Sequence, residues 1–268
     1  MSEIEKGRVA LVTGGSRGIG KGIALVLAKA GYDVALTYTS KKELALEVAE
    51  QIQKLGRRAA VIQGELTEEQ TPQKVVDTCV KEMGRIDVLA NNAGRTMFGH
   101  ILKIDLATIN TLINLNFKAY VLMLQAVAKH MVEAKIRGNI VNITSTRGQR
   151  AYLHDGVYGG LKAGLSRATQ SFALDLAPYG IRVNCVAPGS IPHGDYNKDE
   201  KRKDAYEDFR QRIPLKRFGT GEDIGQAVAW LVSEQASYIT GQTLNIDGGL
   251  ILPGMPEIER GPAPKAWA

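Results

Sequence analysis

The sequence lacks several features that mark particular classes of protein. Only two of its 268 residues are cysteine, Cys79 and Cys185, so a disulfide scaffold is excluded and both are interpreted as buried thiols. No uninterrupted apolar run approaches the roughly 18 residues of a membrane span. Residues 1–6 are acidic and polar, without the basic and apolar parts of a secretory signal. We therefore expect a cytoplasmic protein that does not associate with membranes.

The sequence also lacks long stretches of one charge sign. It has 34 basic and 28 acidic residues, a formal net charge of +6, and the two signs are interspersed. This distribution disfavours nucleic acid as a partner and favours a small-molecule substrate, with some preference for anions. The four histidines, at positions 100, 130, 154 and 193, show no ligand spacing with cysteines or acids, so no metal site is predicted.

What the sequence does contain is a regular alternation of short β-rich apolar runs and helical patterns. This alternation is typical of βαβ units and a parallel sheet covered on both faces. Strands are predicted at 8–13, 33–38, 59–63, 86–91, 139–144, 181–187 and 242–246, and helices at 18–29, 41–55, 68–83, 107–134, 157–176 and 221–233. The pattern predicts a single α/β domain of the Rossmann type over residues 1–249, with a doubly wound, seven-stranded parallel sheet in a three-layer α/β/α arrangement.

Two segments interrupt this rhythm. Residues 188–218 are longer than an ordinary connection and rich in charge. Long segments inside compact domains are usually lids or binding loops, so we interpret this one as a substrate lid with a short helix at 199–212. Residues 250–268 are rich in proline and glycine and form a C-terminal tail.

A glycine-rich turn between the first predicted strand and helix indicates a phosphate-binding site. Glycines allow close approach of backbone to a pyrophosphate, and a helix N-terminus offers free N–H groups. The spacing G-x-x-x-G-x-G lacks the lysine of a nucleoside triphosphate P-loop, so a dinucleotide is favoured; an ordinary tight turn is the alternative. The candidate residues are Gly14, Ser16, Arg17, Gly18, Ile19 and Gly20.

The end of the second strand indicates which dinucleotide is bound. An acid there would bind the ribose hydroxyls of NAD(H), whereas cations and hydroxyls would accept the 2′-phosphate of NADP(H). The residues are Thr39, Ser40 and Lys41, with Arg17 expected beside them. NADP(H) is favoured and NAD(H) is the alternative, because Lys41 also fits a solvated first turn of a helix.

The candidate catalytic residues are Ser145, Tyr158 and Lys162. Tyr158 and Lys162 are four residues apart and share one helix face. Tyr38 and Lys42 have the same spacing, but Tyr158 follows the fifth strand, near the point where chemistry is expected in this fold. A nearby ammonium favours a phenolate, which brings tyrosine towards the range of a general acid or base.

Together these residues resemble the short-chain dehydrogenase/reductase family. The motifs that carry the resemblance extend from about Arg8 to Gly249 and are Gly14-x-x-x-Gly18-x-Gly20, Asn91-Asn92-Ala93-Gly94, Asn116, Ser145, Tyr158-x-x-x-Lys162, Pro188-Gly189, Gly241 and Asp247-Gly248-Gly249. The C-terminal part is most similar to the branch of glucose 1-dehydrogenases and 3-oxoacyl-ACP reductases. The resemblance implies hydride exchange between NAD(P) and a secondary alcohol or a sugar hemiacetal.

The resemblance also implies a role for each matched residue. Ser145 would orient the substrate oxygen, Tyr158 would transfer the proton, and Lys162 would lower the pKa of Tyr158 and hold the nicotinamide ribose. Asn116 would anchor a water of the proton relay, with Asn114 as the alternative. The remaining cofactor-contacting positions would be Glu65, Leu66, Asn92, Ala93, Gly94, Pro188, Gly189 and Ile191.

Positions that face the substrate in this family carry Arg95, Arg147, His154 and His193, where His193 replaces the usual threonine of the nicotinamide site. Converging basic groups favour a polar or anionic substrate, such as a sugar or a hydroxy or keto acid. The alternative is that some of these arginines form a solvated rim or pair with Asp155 and the cofactor. The alternatives are a 3-oxoacyl-ACP reductase, which the Leu174-Asp175 pair disfavours, and a catalytically idle NADP(H)-binding regulator. Members of the family are usually homotetramers, so a homotetramer is expected.

Overall fold

The computed structural model describes residues 7–192 and 203–252. Its centre is a seven-stranded sheet with the order β3-β2-β1-β4-β5-β6-β7, in which every neighbouring pair is parallel. The strands are β1 Val9–Val12, β2 Asp33–Tyr38, β3 Ala59–Gln63, β4 Val88–Asn91, β5 Asn139–Ile143, β6 Arg182–Pro188 and β7 Thr243–Ile246. The predicted Rossmann-type sheet is confirmed.

Eight α-helices accompany the sheet within the described residues. They are α1 Gly18–Lys29, α2 Lys42–Lys54, α3 Thr71–Met83, α4 Leu106–Ile113, α5 Ala119–Glu133, α6 Gly156–Leu176, α7 Lys203–Gln211 and α8 Gly221–Leu231. Predicted bounds differ by up to three residues, and α7 lies within the predicted lid helix at 199–212. The first residues of that prediction, His193 and the tail from 253 onwards lie outside the described residues.

The central strands β1 and β2 are buried along their whole length because helices cover both faces of the sheet. Most of their residues are apolar, and the polar Asp33 and Thr37 of β2 are buried as well. Along β1, Val9 and Leu11 belong to one core cluster and Ala10 and Val12 to another, as expected when side chains alternate between faces. The apolar runs of the sequence therefore mark strands that separate two cores.

The segment predicted as one helix at 107–134 is divided by a π-helical turn. The turn spans Asn114–Lys118 and joins α4 to α5 without a break in the helical path. The stretch Leu106–Glu133 is long and apolar enough to cross a membrane, since its most apolar part has a mean hydropathy of 1.2. Half of that part, however, is buried inside the fold. A core helix passes the same test, so the stretch is weak evidence for membrane insertion.

The two cysteines are buried and free, as predicted. Burial raises the pKa of the Cys79 thiol to about 12 and raises that of Cys185 as well. A thiol is a poor nucleophile while it is protonated. Neither residue is suited to thiolate chemistry, which leaves the functional site to be sought elsewhere.

Candidate active site

The candidate site lies where the sheet order reverses. Strand β1 lies between β2 and β4, so its neighbours lead to opposite halves of the sheet. The loops after β1 and β4 are joined there: the Thr13 hydroxyl accepts hydrogen bonds from the N–H groups of Asn92 (2.8 Å) and Ala93 (2.9 Å), and Asn92 Nδ2 donates to the Thr13 carbonyl at 2.8 Å. Open α/β sheets bind ligands in this crevice, beyond the carboxyl ends of the strands.

The glycine-rich turn opens this crevice towards the N-terminus of α1. Gly14 and Gly18 have φ angles of +64° and +54°, which favour glycine. A Cβ on Gly20 would lie 2.2 Å from the Gly14 carbonyl oxygen, so only glycine fits there. Arg17 precedes the helix without capping it through its side chain. The first amides of α1 are therefore suited to a diphosphate, as predicted for Gly14–Gly20.

The residues predicted to contact the adenosine divide into exposed and buried ones. Thr39, Ser40, Lys41 and Arg17 are exposed, and no acid ends β2. Glu65 binds its own turn instead, since its Oε1 accepts from the Thr67 N–H (3.2 Å) and hydroxyl (2.9 Å). The Leu66 side chain is 4% exposed and packs in the core, so the predicted contact of Leu66 with the cofactor, which stays a prediction, would involve its backbone.

Ser145 and Tyr158 are brought together, as predicted. Ser145 follows β5 and begins a short 3-10 turn, Thr146–Gly148, and Tyr158 lies in the first turn of α6. The Tyr158 hydroxyl interacts with the hydroxyls of Ser145 and Thr96. Burial raises the pKa of Tyr158, while those two hydrogen bonds and the charge of Arg147 act in the opposite direction. Tyr158 is therefore a neutral phenol at neutral pH, poised to donate a proton.

Lys162 lies one turn after Tyr158 and is 2% exposed. Its ammonium donates to the Ile143 carbonyl (3.0 Å) and the Tyr120 hydroxyl (3.2 Å), and lies 5.8 Å from the centre of the Tyr158 ring. Burial lowers the pKa of Lys162 to about 7. In this structure its hydrogen-bond partners are Tyr120 and the end of β5, and the role of Lys162 in lowering the pKa of Tyr158 stays a prediction.

Asn116 lies in the π-helical turn and is 1% exposed. Its amide nitrogen donates to the Arg95 carbonyl at 2.9 Å, and its amide oxygen accepts from the Arg95 N–H at 3.3 Å. A Cβ on Gly94 would lie 2.9 Å from that oxygen. The side chain of Asn116 thus fixes the loop after β4, and the water-anchoring role stays a prediction.

The predicted substrate residues do not form one cluster of free cations. Arg95 and His154 are exposed; His154 has a φ of +66° and its ring centre lies 5.4 Å from that of His100. Arg147 instead forms an ion pair with the buried Asp155, Nη1 to Oδ2 at 2.9 Å. The structure thus shows the alternative in which Arg147 pairs with Asp155, and a role of Arg147 in binding the substrate stays a prediction.

Pro188, Gly189 and Ile191 lie at the carboxyl end of β6, beside Ser145. The Thr146 hydroxyl donates to the Pro188 carbonyl at 3.2 Å, and the Gly189 N–H donates to Ile246 at 3.0 Å. Ile191 is partly buried and packs against the core. Thr146 thereby joins the turn after β5 to the region predicted to hold the nicotinamide.

Two residues of the site were not predicted from the sequence. Tyr120 binds Lys162, and Thr96 interacts with Tyr158. Tyr120 could have been found, because it lies four residues after Asn116 and shares its helix face. The contact of Thr96 depends on how two loops meet, which the pattern does not reveal.

The fold and the site define a dinucleotide-dependent oxidoreductase, and comparisons with known proteins give its family. Residues 14–251 match the family model described as enoyl-(acyl carrier protein) reductase. The chain is 36% identical over 247 residues to glucose 1-dehydrogenase 2 of Bacillus subtilis, covering 92% of this chain and 95% of that protein. It is 37% identical over 243 residues to a 3-oxoacyl-[acyl-carrier-protein] reductase of Staphylococcus epidermidis, covering 91% and 98%.

A solved structure is similar throughout the fold. A short chain dehydrogenase from Burkholderia cenocepacia in complex with NADP superimposes with a TM-score of 0.84 at 37% identity, covering 91% of this chain and 98% of that one. The chain belongs to the short-chain dehydrogenase/reductase family. It is an oxidoreductase of the alcohol and ketone type that binds a nicotinamide dinucleotide.

Proposed function

We propose that the protein interconverts a secondary alcohol, or a cyclic sugar hemiacetal, and the corresponding carbonyl compound with NADP(H), using Tyr158 as proton donor and acceptor. The observation that carries this proposal is the interaction of the Tyr158 and Ser145 hydroxyls at the carboxyl end of β5. The bound nicotinamide supplies or accepts the hydride.

The chain's own residues control the proton and the substrate oxygen. The Arg147 N–H donates to Ser145 Oγ at 3.2 Å, so the serine O–H remains available to donate to the substrate oxygen. In reduction Tyr158 donates its proton to that oxygen, and in oxidation its phenolate accepts one. Three further residues support this proton exchange. Lys162 holds the ribose, Asn116 anchors a water of the proton relay, and Tyr120 positions Lys162.

NADP(H) is proposed over NAD(H) because of the charge around the end of β2. Exposed Arg17 and Lys41 provide cations for a 2′-phosphate, together with the hydroxyls of Thr39 and Ser40. The similar Burkholderia structure contains NADP.

The expected signature of NADP(H) preference is a higher kcat/KM with NADPH than with NADH. Arg17→Ala and Lys41→Ala should lower it for NADPH alone. Lys54→Ala, at the far end of α2, is the matched control.

The proposed substrate is small and polar, with Arg95 and His154 as the side chains that bind it. Both are exposed on the loops that surround Tyr158. Acidic groups on the substrate would be bound by Arg95 in place of Arg147. His193 and the rest of 188–218 are proposed to cover the substrate, and Asn92, Ala93, Gly94, Pro188, Gly189, Ile191 and the backbone of Glu65 and Leu66 to contact the cofactor.

A second candidate function is reduction of a 3-oxoacyl-ACP thioester. The likeness to the Staphylococcus enzyme favours it. The pair Leu174-Asp175 disfavours it, because an exposed leucine, 76% accessible, and an acid are poorly suited to bind an acidic carrier protein.

We also propose a cytoplasmic homotetramer. Support comes from a groove of about 440 Å³ between α5 and α6, whose lining includes Leu124, Val132 and Phe172. Exposed Trp230 and Tyr238 give a second apolar area. Light scattering coupled to gel filtration should give four times the mass of one chain.

The test of the function is a panel of ketones, sugars, hydroxy acids and an acyl thioester, assayed with both cofactors through the absorbance of the reduced nicotinamide. The proposal predicts turnover of a polar alcohol or ketone with NADPH. Turnover confined to the acyl thioester would establish the second candidate function. Turnover with NADH alone would contradict the cofactor assignment.

A further inference from the structure

Arg147 occupies a partly buried position beside the catalytic residues. Its guanidinium pairs with Asp155, at 2.9 Å, and lies over the rings of Phe98 (4.7 Å to the ring centre) and Tyr152 (4.4 Å). Asp155 is 3% exposed, and the Arg147 side chain is 31% exposed. A guanidinium stacked between two rings and bound to a buried carboxylate would lose all of these contacts if it turned towards a substrate.

The backbone of Arg147 contacts the same site. Its N–H donates to Ser145 Oγ at 3.2 Å. Its carbonyl packs against α6, where a Cβ on Gly159 would lie 2.8 Å from the carbonyl oxygen. Asp155 in turn directly precedes α6, and its carbonyl accepts from the Gly159 N–H at 2.7 Å. Arg147 therefore joins the turn that carries Ser145 to the first turn of the helix that carries Tyr158.

The charges near Tyr158 oppose one another. Asp155 disfavours the phenolate and Arg147 favours it. The other groups that face Tyr158 within the described residues are the hydroxyls of Ser145 and Thr96, the Lys162 ammonium, and the Tyr120 phenol. Without Arg147, Asp155 would place an unpaired negative charge in a buried position close to the phenol.

We propose that Arg147 is a positioning residue for the catalytic pair: its backbone orients Ser145, and its side chain holds and neutralises Asp155 so that Tyr158 can exchange its proton. This inference rests on the proposed function of Tyr158. It reassigns Arg147 from the substrate to the catalytic machinery, and it leaves Arg95 as the cation for an acidic substrate.

The experiment compares Arg147→Met, Asp155→Asn and the double variant through the pH profile of kcat/KM for alcohol oxidation, which requires the phenolate. Arg147→Met leaves Asp155 unpaired, so the acid limb of the profile should move to higher pH by about one unit. Asp155→Asn leaves the positive charge of Arg147 unpaired and should move the acid limb to lower pH. In the double variant both charges are absent, and the limb should return to within about 0.3 units of the wild type.

Two further variants serve as controls. Arg147→Lys keeps the charge and should keep the wild-type profile. Arg85→Met removes an equivalent ion pair to the buried Asp87, at 2.7 Å, beside the start of β4 and far from Tyr158. Arg85→Met should lower stability without moving the profile. If Arg147→Met does not fold, Asp155→Asn and Arg147→Lys carry the test.

The proposal is overturned if Arg147→Met and Asp155→Asn have the wild-type profile, or if Arg147→Met raises KM only for acidic substrates at an unchanged profile. The second result would restore Arg147 as a substrate cation. Failure of the proposed function gives a different result, since Tyr158→Phe would then retain turnover. Unshifted profiles combined with an inactive Tyr158→Phe would refute the role of Arg147 alone.

Discussion

Replacing Lys162 by methionine is expected to stabilise the cofactor-free protein while it abolishes turnover. Lys162 is 2% exposed, and its pKa falls from 10.5 to about 7 because burial disfavours the charged form. Methionine fills a similar volume and carries no charge. The substitution should therefore remove the free-energy cost of burying a charged group beside Tyr120 and one helical turn from Tyr158.

The pH dependence of this effect follows from the lowered pKa of Lys162. Below pH 7 the lysine is charged in both the folded and the unfolded state, so the whole burial cost is present. Between about pH 7 and 10.5 the folded state is neutral while the unfolded chain still binds the proton, so wild-type stability rises relative to the variant. The advantage of Lys162→Met should thus be largest at pH 6 and shrink towards pH 9.

The gain in unfolding free energy of Lys162→Met is at most roughly 5 kcal/mol. This limit is the difference between the pKa values of Lys162 in the unfolded and folded states, multiplied by about 1.36 kcal/mol per unit. The hydrogen bonds to Ile143 and Tyr120, which methionine cannot make, reduce this gain. We expect about 2 kcal/mol at pH 6.

The assay is urea unfolding of both proteins at pH 6 and pH 9, at one protein concentration and without cofactor. Other titrating groups are common to both proteins and cancel in the difference. The reasoning would be refuted if Lys162→Met were no more stable than the wild type at pH 6, or if its advantage were unchanged at pH 9.

Two other substitutions test the surroundings of the site and of the fold. Tyr120→Phe removes the hydroxyl that lies 3.2 Å from the Lys162 ammonium. We expect kcat to fall roughly tenfold with little change in melting temperature. An unchanged kcat in steady-state assays would show that Lys162 does not need this hydroxyl as a partner. Thr220→Ala removes the capping box at the start of α8 and should lower the free energy of unfolding in urea by about 1 kcal/mol. A decrease of less than about 0.3 kcal/mol would contradict the contribution of this cap.

Much of the fold was predictable from local patterns. The runs that became β1 and β2 are apolar at nearly every position, which is the pattern of strands covered on both faces. The π-helical turn at Asn114–Lys118 was not predictable, because one extra residue in a turn barely changes the apolar periodicity of a long helix.

The site was predictable where a residue's role depends on its place along the chain. Ser145 and Tyr158 meet because one ends a strand and the other begins the following helix. For Arg147 the sequence allowed both a substrate cation and a pair with Asp155, and the choice needed the structure, because charge alone does not identify a partner. The direction of the Leu66 side chain needed the structure, because a residue after a strand can face either the crevice or the core, and this apolar side chain packs in the core.

The proposed function depends most on the Tyr158 hydroxyl, and Tyr158→Phe tests it most directly. The measurement is kcat together with NADPH affinity, determined by fluorescence titration of the same preparation. We predict a loss of at least about a hundredfold in kcat with NADPH affinity within about threefold of the wild type, because phenylalanine keeps the buried ring and removes only the hydroxyl. Substantial turnover in Tyr158→Phe would contradict the central claim, since the proton would then come from another group.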